Sequence, residues 1–595
     1  MGKSSYIKLN LLGAACWLLL GAYQLWKVKA APIGDFANYY YASQAYLADA
    51  PVADTYEPYA FNIWVNERSP SPVFVNYAPV PPISILAYLP FSLFKTVGAA
   101  KFWFSLIGLG LFGWVYLGMI RSWKGEVGRG KWEGGSQKGE VGSGNVQDTI
   151  DHGLSTDNPL SRKSEVGSRN LGDTIDHGPS TDNPPPPPTT FNLQLSTYTI
   201  ILLLPFLLYT PLLNNLYQGQ SYLYLLAALL AGYQCWEKGK RNWAAVCWAI
   251  PIALKIFPAI LLLFLLLKRD WRTFLLTSVL AAGLSLLPVL FIPMEVMVDY
   301  FVHILPRLFA GEINDPFTIL YQSARVVFDQ LFVFDQHLNP SPVADHPAWS
   351  QYLYLLFQLF ILATVIALVN DKRVPAFAGF GIVILGGLLV SGYGSSYSML
   401  LLLFPLLALL SLGLNAWQMG VALFLLFIAG NIPIYRLQSW PLVLQFPRLY
   451  ALVAFLLFLL ILIRPRLNGK TLLLLFALLL VKQWVSNGNA ATRASYYLTD
   501  GRHSIIHDYE ATKAGILLHF FSLQGDQKEE LTTEDKLHYD SKLQIRDQQV
   551  YLGEQQLTFT KSRKKKPMRL NDNAVIYLSD EGRGVGFYTL RKINF

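Results

Sequence analysis

Asp35 stands in the run Gly34-Asp35-Phe36-Ala37-Asn38-Tyr39-Tyr40, directly after the first apolar stretch of the chain. A carboxylate just beyond a membrane-length segment, beside aromatic residues, is placed where a membrane enzyme would put a general base. Lys255 is the second such residue, in Ala253-Leu254-Lys255-Ile256-Phe257-Pro258. A lysine within an apolar helix costs about 3 kcal/mol unless it snorkels or meets an anion, so it is a functional candidate by default. Pro258 ends the helix and frees backbone groups beside a cavity. The plainer alternative is a helix-end lysine reaching lipid phosphate. A third cluster, Asn214-Asn215-Leu216-Tyr217-Gln218-Gly219-Gln220, offers amides that can bind sugar hydroxyls and a glycine that permits close backbone approach, or simply a capped turn. His303, Arg307 and Gln322 complete the polar set that falls on one side of the apolar runs.

A membrane domain has to position these residues. Hydrophobic residues make up 53% of the 595-residue chain and charged residues 15%, against roughly 25% charged in soluble proteins. That overrules the several soluble domains that the length alone suggests. The net charge of +9 does not imply nucleic acid, because Lys and Arg gather in short loops at the ends of apolar runs, as the positive-inside bias requires. Cys16, Cys235 and Cys247 all lie in apolar runs, so neither a disulfide framework nor a cysteine metal site is predicted.

Placing the basic loops (Lys3/Lys8, Arg121–Arg129, Lys238–Arg241, Lys268–Arg272, Lys372–Arg373 and Arg464–Arg466) in the cytoplasm predicts about thirteen spans. They lie near 7–26, 99–120, 196–213, 220–236, 242–256, 257–268, 273–292, 350–369, 374–391, 397–412, 416–432, 447–463 and 470–486. The N-terminus is then inside and the C-terminal region outside. The proline-rich stretch 79–94 is read as re-entrant or amphipathic, so that residues 27–98 form one outer loop carrying Asp35.

Four regions follow: 1–120 with that outer catalytic loop, an insert at 121–195, a helical domain at 196–486, and a soluble region at 487–595. The insert contains a near-duplicate, Asp148 to Pro159 and Asp173 to Pro184, and ends in a run of five prolines. It reads as a disordered cytoplasmic linker, and its repeated His152 and His177 as repeat expansion rather than metal ligands. Alternating patterns such as Gln549–Thr560 and Ala574–Ser579 predict a small α/β or β-rich outer domain. The Gly582–Phe587 run lacks the strand–loop–helix setting of a phosphate loop. Lys561–Lys566 is a basic run of the kind that touches anionic lipid or substrate, or else a solvated loop.

The order Asp35-Phe36, Tyr39-Tyr40, Tyr77-Ala78-Pro79, Pro82, Pro90, Gln218-Gly219-Gln220, Lys255-Ile256-Phe257-Pro258 and Lys268–Trp271 resembles glycosyltransferase family 87. Gln322-Ser323 and the stretch from Ser395-Ser396-Tyr397 to Pro405 are similar to it as well. The resemblance covers the span region and neither the insert nor the C-terminal region. It implies a GT-C fold and inverting transfer of a sugar, such as mannose or another hexose or pentose, from a polyprenyl phosphate to a glycan or lipid-linked acceptor. The reaction would take place on the outer face of the inner (plasma) membrane. Asp35 would be the catalytic residue, with Tyr39, Tyr77, Asn215, Gln220, Lys255, His303, Arg307 and Gln322 as candidate substrate contacts. The acceptor hydroxyl gives its proton to Asp35, and cations such as Lys255 and Arg307 meet the charge developing on the leaving phosphate. Some GT-C relatives carry paired acids where only Asp35 stands here, so no metal or other cofactor is implied. A histidine of many relatives near position 397 is replaced by Ser395, Ser396 and Tyr397. The rival readings are a lipid or polysaccharide transporter, which would show related halves that this chain lacks, and a surface-polysaccharide polymerase or ligase.

Overall fold

A computed structural model describes residues 15, 17, 19–28, 33–50, 52–127, 206–310, 316–336, 338–392, 394–466, 468–487, 495–497, 504–512, 515–522, 527–531, 540–560 and 562–595. The apolar runs become helices whose ends fall close to the predicted ones, because each run is bounded by charge, glycine or proline. Tyr222–Glu237, Arg241–Lys255, Trp271–Leu286, Pro347–Asn370, Ala376–Val390, Ala416–Asn431, Pro447–Ile463 and Gly469–Asn487 all form. Among the described residues, three helices are both long and apolar enough to cross a bilayer: Val97–Trp114, Trp271–Leu290 and Pro347–Asn370. Shorter apolar helices pack around them. The expected spans over 7–26 and 196–213 lie partly, and the insert lies mostly, outside the described residues. The helix that opens the insert, Val97–Val127, runs beyond its expected end at 120.

One end of the bundle gathers the basic loops. Arg241 Nε bonds Asp270 Oδ2 at 2.8 Å, and the same oxygen accepts from Trp236 Nε1 at 2.9 Å. Lys268 Nζ reaches Val369 O at 3.3 Å, and Arg373 Nη2 reaches Ile463 O at 2.5 Å. Four loops that the charge pattern assigns to one side are therefore held together in space.

At the other end, residues 33–96 build a cap. Ile83–Ser92 has ten residues, about 15 Å at 1.5 Å per residue, half of a hydrocarbon core. It packs on Phe36–Leu47, where Ser43 Oγ bonds Ile85 O at 2.7 Å and Tyr40 OH bonds Phe94 O at 2.8 Å. Phe36, Tyr39, Tyr56, Phe61, Tyr77, Tyr88 and Tyr300 share one buried aromatic core. The extended stretch 73–76 is clipped to the helix Pro58–Asn66. Asn66 Oδ1 accepts from Val73 N at 2.8 Å and Asn62 Oδ1 from Val75 N at 2.8 Å.

The C-terminal region is β: among its described residues there are strands and no helix. One antiparallel sheet runs Ser495–Tyr497, Thr589–Asn594, Ala574–Ser579, Lys564–Asn571, and two three-stranded sheets accompany it. Among the described residues of the basic run, Lys564, Lys565 and Lys566 open the strand Lys564–Asn571 rather than a loop. Arg563 is buried and pairs with Glu57 at 2.8 Å and Asp299 at 2.6 Å, while Lys565 joins Glu57 at 2.9 Å. These cations fasten the sheet to the cap. The glycine run beyond Asp580 connects two antiparallel strands, which agrees with its exclusion as a phosphate loop.

Candidate active site

Two tight turns meet to form the site. Gly34 (φ +63°) and Gly219 (φ +64°) both occupy the left-handed region. A Cβ on Gly34 would lie 2.5 Å from Gln218 Oε1, and one on Gly219 would lie 2.5 Å from Phe36 Cβ. Only glycine lets these backbones approach so closely, and the contact brings Asp35 beside Gln220.

Gln220 Nε2 donates to Asp35 Oδ2 at 2.6 Å. Its Oε1 accepts from Lys255 Nζ at 2.9 Å and from Tyr39 OH at 3.1 Å. An ammonium only donates, so the amide oxygen must face Lys255 and the amide NH2 must face the carboxylate. Gln220 thus presents Asp35 with a donor, which favours its ionised form. Burial works the other way and is the larger effect. It raises the Asp35 pKa above the ordinary carboxylate value, against the Gln220 hydrogen bond and the charges of Lys255 and Lys101. A carboxylate so placed is a stronger base than one in water.

Lys255 reaches this point because its helix ends there. Ile256 has φ +53° and ψ −44°, a conformation that costs a β-branched residue roughly 1–3 kcal/mol, and Pro258 is the second residue of the 3₁₀ turn Phe257–Ile260 that follows. Ile256→Gly should leave the melting temperature unchanged or raised, since relieved strain offsets lost packing. Turnover should fall about tenfold or more as Lys255 loses its fixed position. Thermal unfolding followed beside initial rates checks this, and a lower melting temperature with full rate would contradict it.

Asp35, Tyr39, Gln220 and Lys255 line a cavity of about 670 Å³. Its lining also includes Asn38 and Asn76, and Arg325, Tyr397 and Ser395. Arg325 also pairs with Asp329 at 3.3 Å. On either side of the lining residue Ser395, the buried Arg448 bonds Gly394 O at 3.2 Å and Ser396 Oγ at 3.0 Å. Among the described residues no three His, Cys, Asp or Glu side chains cluster as metal ligands would.

The remaining expected contacts lie elsewhere. Tyr77 is fully buried in the cap core and its hydroxyl bonds Pro81 O at 3.3 Å. Asn215 is buried under its own turn, where Oδ1 accepts from Tyr222 N at 3.2 Å. Gln322 spends its amide on Ile319 O and Gln445 O, each at 2.8 Å. His303 sits on the π-helical turn Asp299–Ile304, away from the cavity wall. Arg307 points to the C-terminal sheet, where Nη1 meets Asp580 Oδ2 at 2.7 Å with both side chains buried.

Residues 184–392 match the model of glycosyltransferase family 87. The matched stretch, about a third of the chain, holds Gln220, Lys255 and Arg325 and leaves out Asp35 and the C-terminal sheets. With the apolar helices, the match supports a membrane glycosyltransferase in general terms. No curated protein and no solved structure matches the chain. Sequence reasoning passed over three charged or aromatic residues at or beside the candidate site. Arg325 follows the noted Gln322-Ser323 pair. Lys101 is a lysine within an apolar helix, a signal of the same kind as Lys255, and it bonds Tyr217 O at 2.5 Å. Phe587 lies in the C-terminal region and carries no local signal at all.

Proposed function

We propose that this glycosyltransferase moves a sugar from a polyprenyl phosphate to a hydroxyl of a glycan or lipid-linked acceptor, on the membrane face opposite the basic loops. By the positive-inside bias that is the outer face of the inner membrane. The observation that carries the reading is the Lys255–Gln220–Asp35 chain set in a cavity that has an apolar side. Asp35 takes the acceptor proton as the acceptor oxygen bonds to the anomeric carbon. The bond from that carbon to the phosphate oxygen breaks, and the phosphate leaves with the electron pair, inverting the anomeric centre. Lys255 and Arg325 are the cavity cations that would meet the phosphate, in the place first expected for Arg307. A neighbouring apolar groove of about 260 Å³ shares Pro81, Ile256 and Leu305 with the cavity and offers a path for a hydrocarbon tail.

The test is transfer from polyprenyl-phosphate sugars by the purified full chain in lipid. Activity is expected with at least one such donor. Lys255→Ala should lower it about 10²-fold or more, the scale for losing one preorganised electrostatic contact. Inactivity with every polyprenyl-phosphate sugar would defeat the reading and favour a transporter. Reporters fused after residues 130 and 490 should report the cytoplasm and the outer side respectively.

A further inference from the structure

We infer that the C-terminal β region completes the acceptor subsite, with Phe587 and Phe74 forming an aromatic wall for a sugar ring of the acceptor. The inference rests on the glycosyltransferase reading and assigns one of its two substrates to a place.

Phe587 and Phe74 both line the Asp35 cavity. Their rings stand 5.8 Å apart at 54°, and neither is buried. Phe74 is aimed by its neighbours. Val73 and Val75 are bonded to Asn66 and Asn62, and in an extended chain the residue between them faces the other way. Asn76, two residues on and on the same face as Phe74, donates its backbone N–H to Asn38 Oδ1 at 2.8 Å. Asn38 lies three residues beyond Asp35 on one helix, which puts the two on one face. A continuous wall therefore runs from the base through two amides to two aromatic rings. Apolar ring faces beside amides and a carboxylate suit a sugar, whose C–H faces and hydroxyls alternate. The hydroxyl that Asp35 deprotonates has to come within about 2.6–3.2 Å of it, so a sugar on this wall is the acceptor. The cations that suit phosphate, Lys255 and Arg325, belong to the other elements.

Phe587 is held rigidly for this role. Asp580, fully buried, accepts Gly586 N at 2.8 Å and Arg307 Nη1 at 2.7 Å on the same oxygen. Gly586 (φ +78°) lies so close to Pro58 that a Cβ would fall 2.3 Å from Pro58 Cδ. Val585 enters the aromatic core of the cap. The loop is thus built into the cap, and it lies outside the family-matched residues, as do Asp35, Asn38 and Phe74.

The experiment is saturation-transfer NMR on the full chain in lipid nanodiscs, with methyl glycosides of common hexoses and pentoses as probes. A polyprenyl phosphate titration runs in parallel. Phe587→Ala should weaken the best-binding glycoside about fivefold or more, Phe587→Tyr should keep it, and lipid-phosphate affinity should not change. Equal glycoside binding by wild type and Phe587→Ala would overturn the inference while the glycosyltransferase reading stood. Lipid phosphate bound with no glycoside bound would do the same. Binding of neither probe by wild type would overturn both.

Discussion

Asp35→Asn is expected to lower transfer by about 10²- to 10⁴-fold, the usual worth of a positioned general base, while the protein folds and keeps its substrates. Asparagine has the same shape, and its carbonyl oxygen can still accept from Gln220 Nε2, which now donates to Asp35 at 2.6 Å. What disappears is the capacity to take a proton. Because burial raises the pKa of Asp35, the wild-type rate should rise with pH along an acid limb above the ordinary carboxylate value of about 3.9, and the residual rate of the asparagine variant should lack that limb. The sign for stability follows from the same shift. A carboxyl with a raised folded-state pKa loses stability as pH climbs from its unfolded value through the folded one. Above its unfolded pKa Asp35 therefore destabilises the fold, and the asparagine variant should melt no lower than wild type at neutral pH, and higher if anything. Rate–pH profiles and thermal unfolding of the two proteins provide the check. Equal turnover would remove Asp35 from the chemistry.

Arg307→Ala is the second large effect, and its origin is structural. The Arg307–Asp580 pair is buried on both sides, and removing one partner of such a pair costs about 3–5 kcal/mol because a charge is left uncompensated. The orphaned Asp580 also holds Gly586 N and, through Oδ1, Arg563 N at 2.7 Å. The loop over 580–588 should therefore open locally, with its amides exchanging hydrogen roughly 10²- to 10⁴-fold faster, the ratio that such a cost implies. Transfer should fall with it as Phe587 leaves the cavity wall. Arg307→Lys should recover only part, since a point charge cannot repeat the guanidinium's two contacts with Asp580. The exposed pair of Arg546 and Glu554 is the control, because surface pairs are worth only about 0–1 kcal/mol. Unchanged exchange in 580–588 of Arg307→Ala would refute the anchoring role.

These two residues also show what was legible from the sequence. Asp35 and Lys255 stood out because each is a charge beside or within an apolar run, and Gln220 because it ends a cluster of amides between two such runs; membrane physics makes such groups conspicuous. The helix ends were legible for the same reason, through charge, glycine and proline. Arg307 was equally conspicuous, yet its partner stands 273 positions away, and a cation in a loop looks the same whether it faces a phosphate or a buried aspartate. Tyr77 and Gln322 lie in motifs that resemble the family and Asn215 lies just before one, and all three side chains bond nearby backbone. Phe587 could not be found at all. Its importance comes from a loop folded against Pro58 and Phe74, and no local pattern in a β-rich tail announces that contact.

The clasp between the cap and the distal sheet also bears on how the protein is made. Arg563 Nη1 bonds Tyr56 O across 507 positions of sequence. At about 5–20 residues per second of synthesis, the cap emerges roughly 25–100 s before the strands that cover it. During that interval the face around Tyr56, Glu57 and Pro58 has no lid, and the acid pocket built by Glu57 and Asp299 lacks its counter-charges. The cavity wall is accordingly incomplete until translation has passed Phe587.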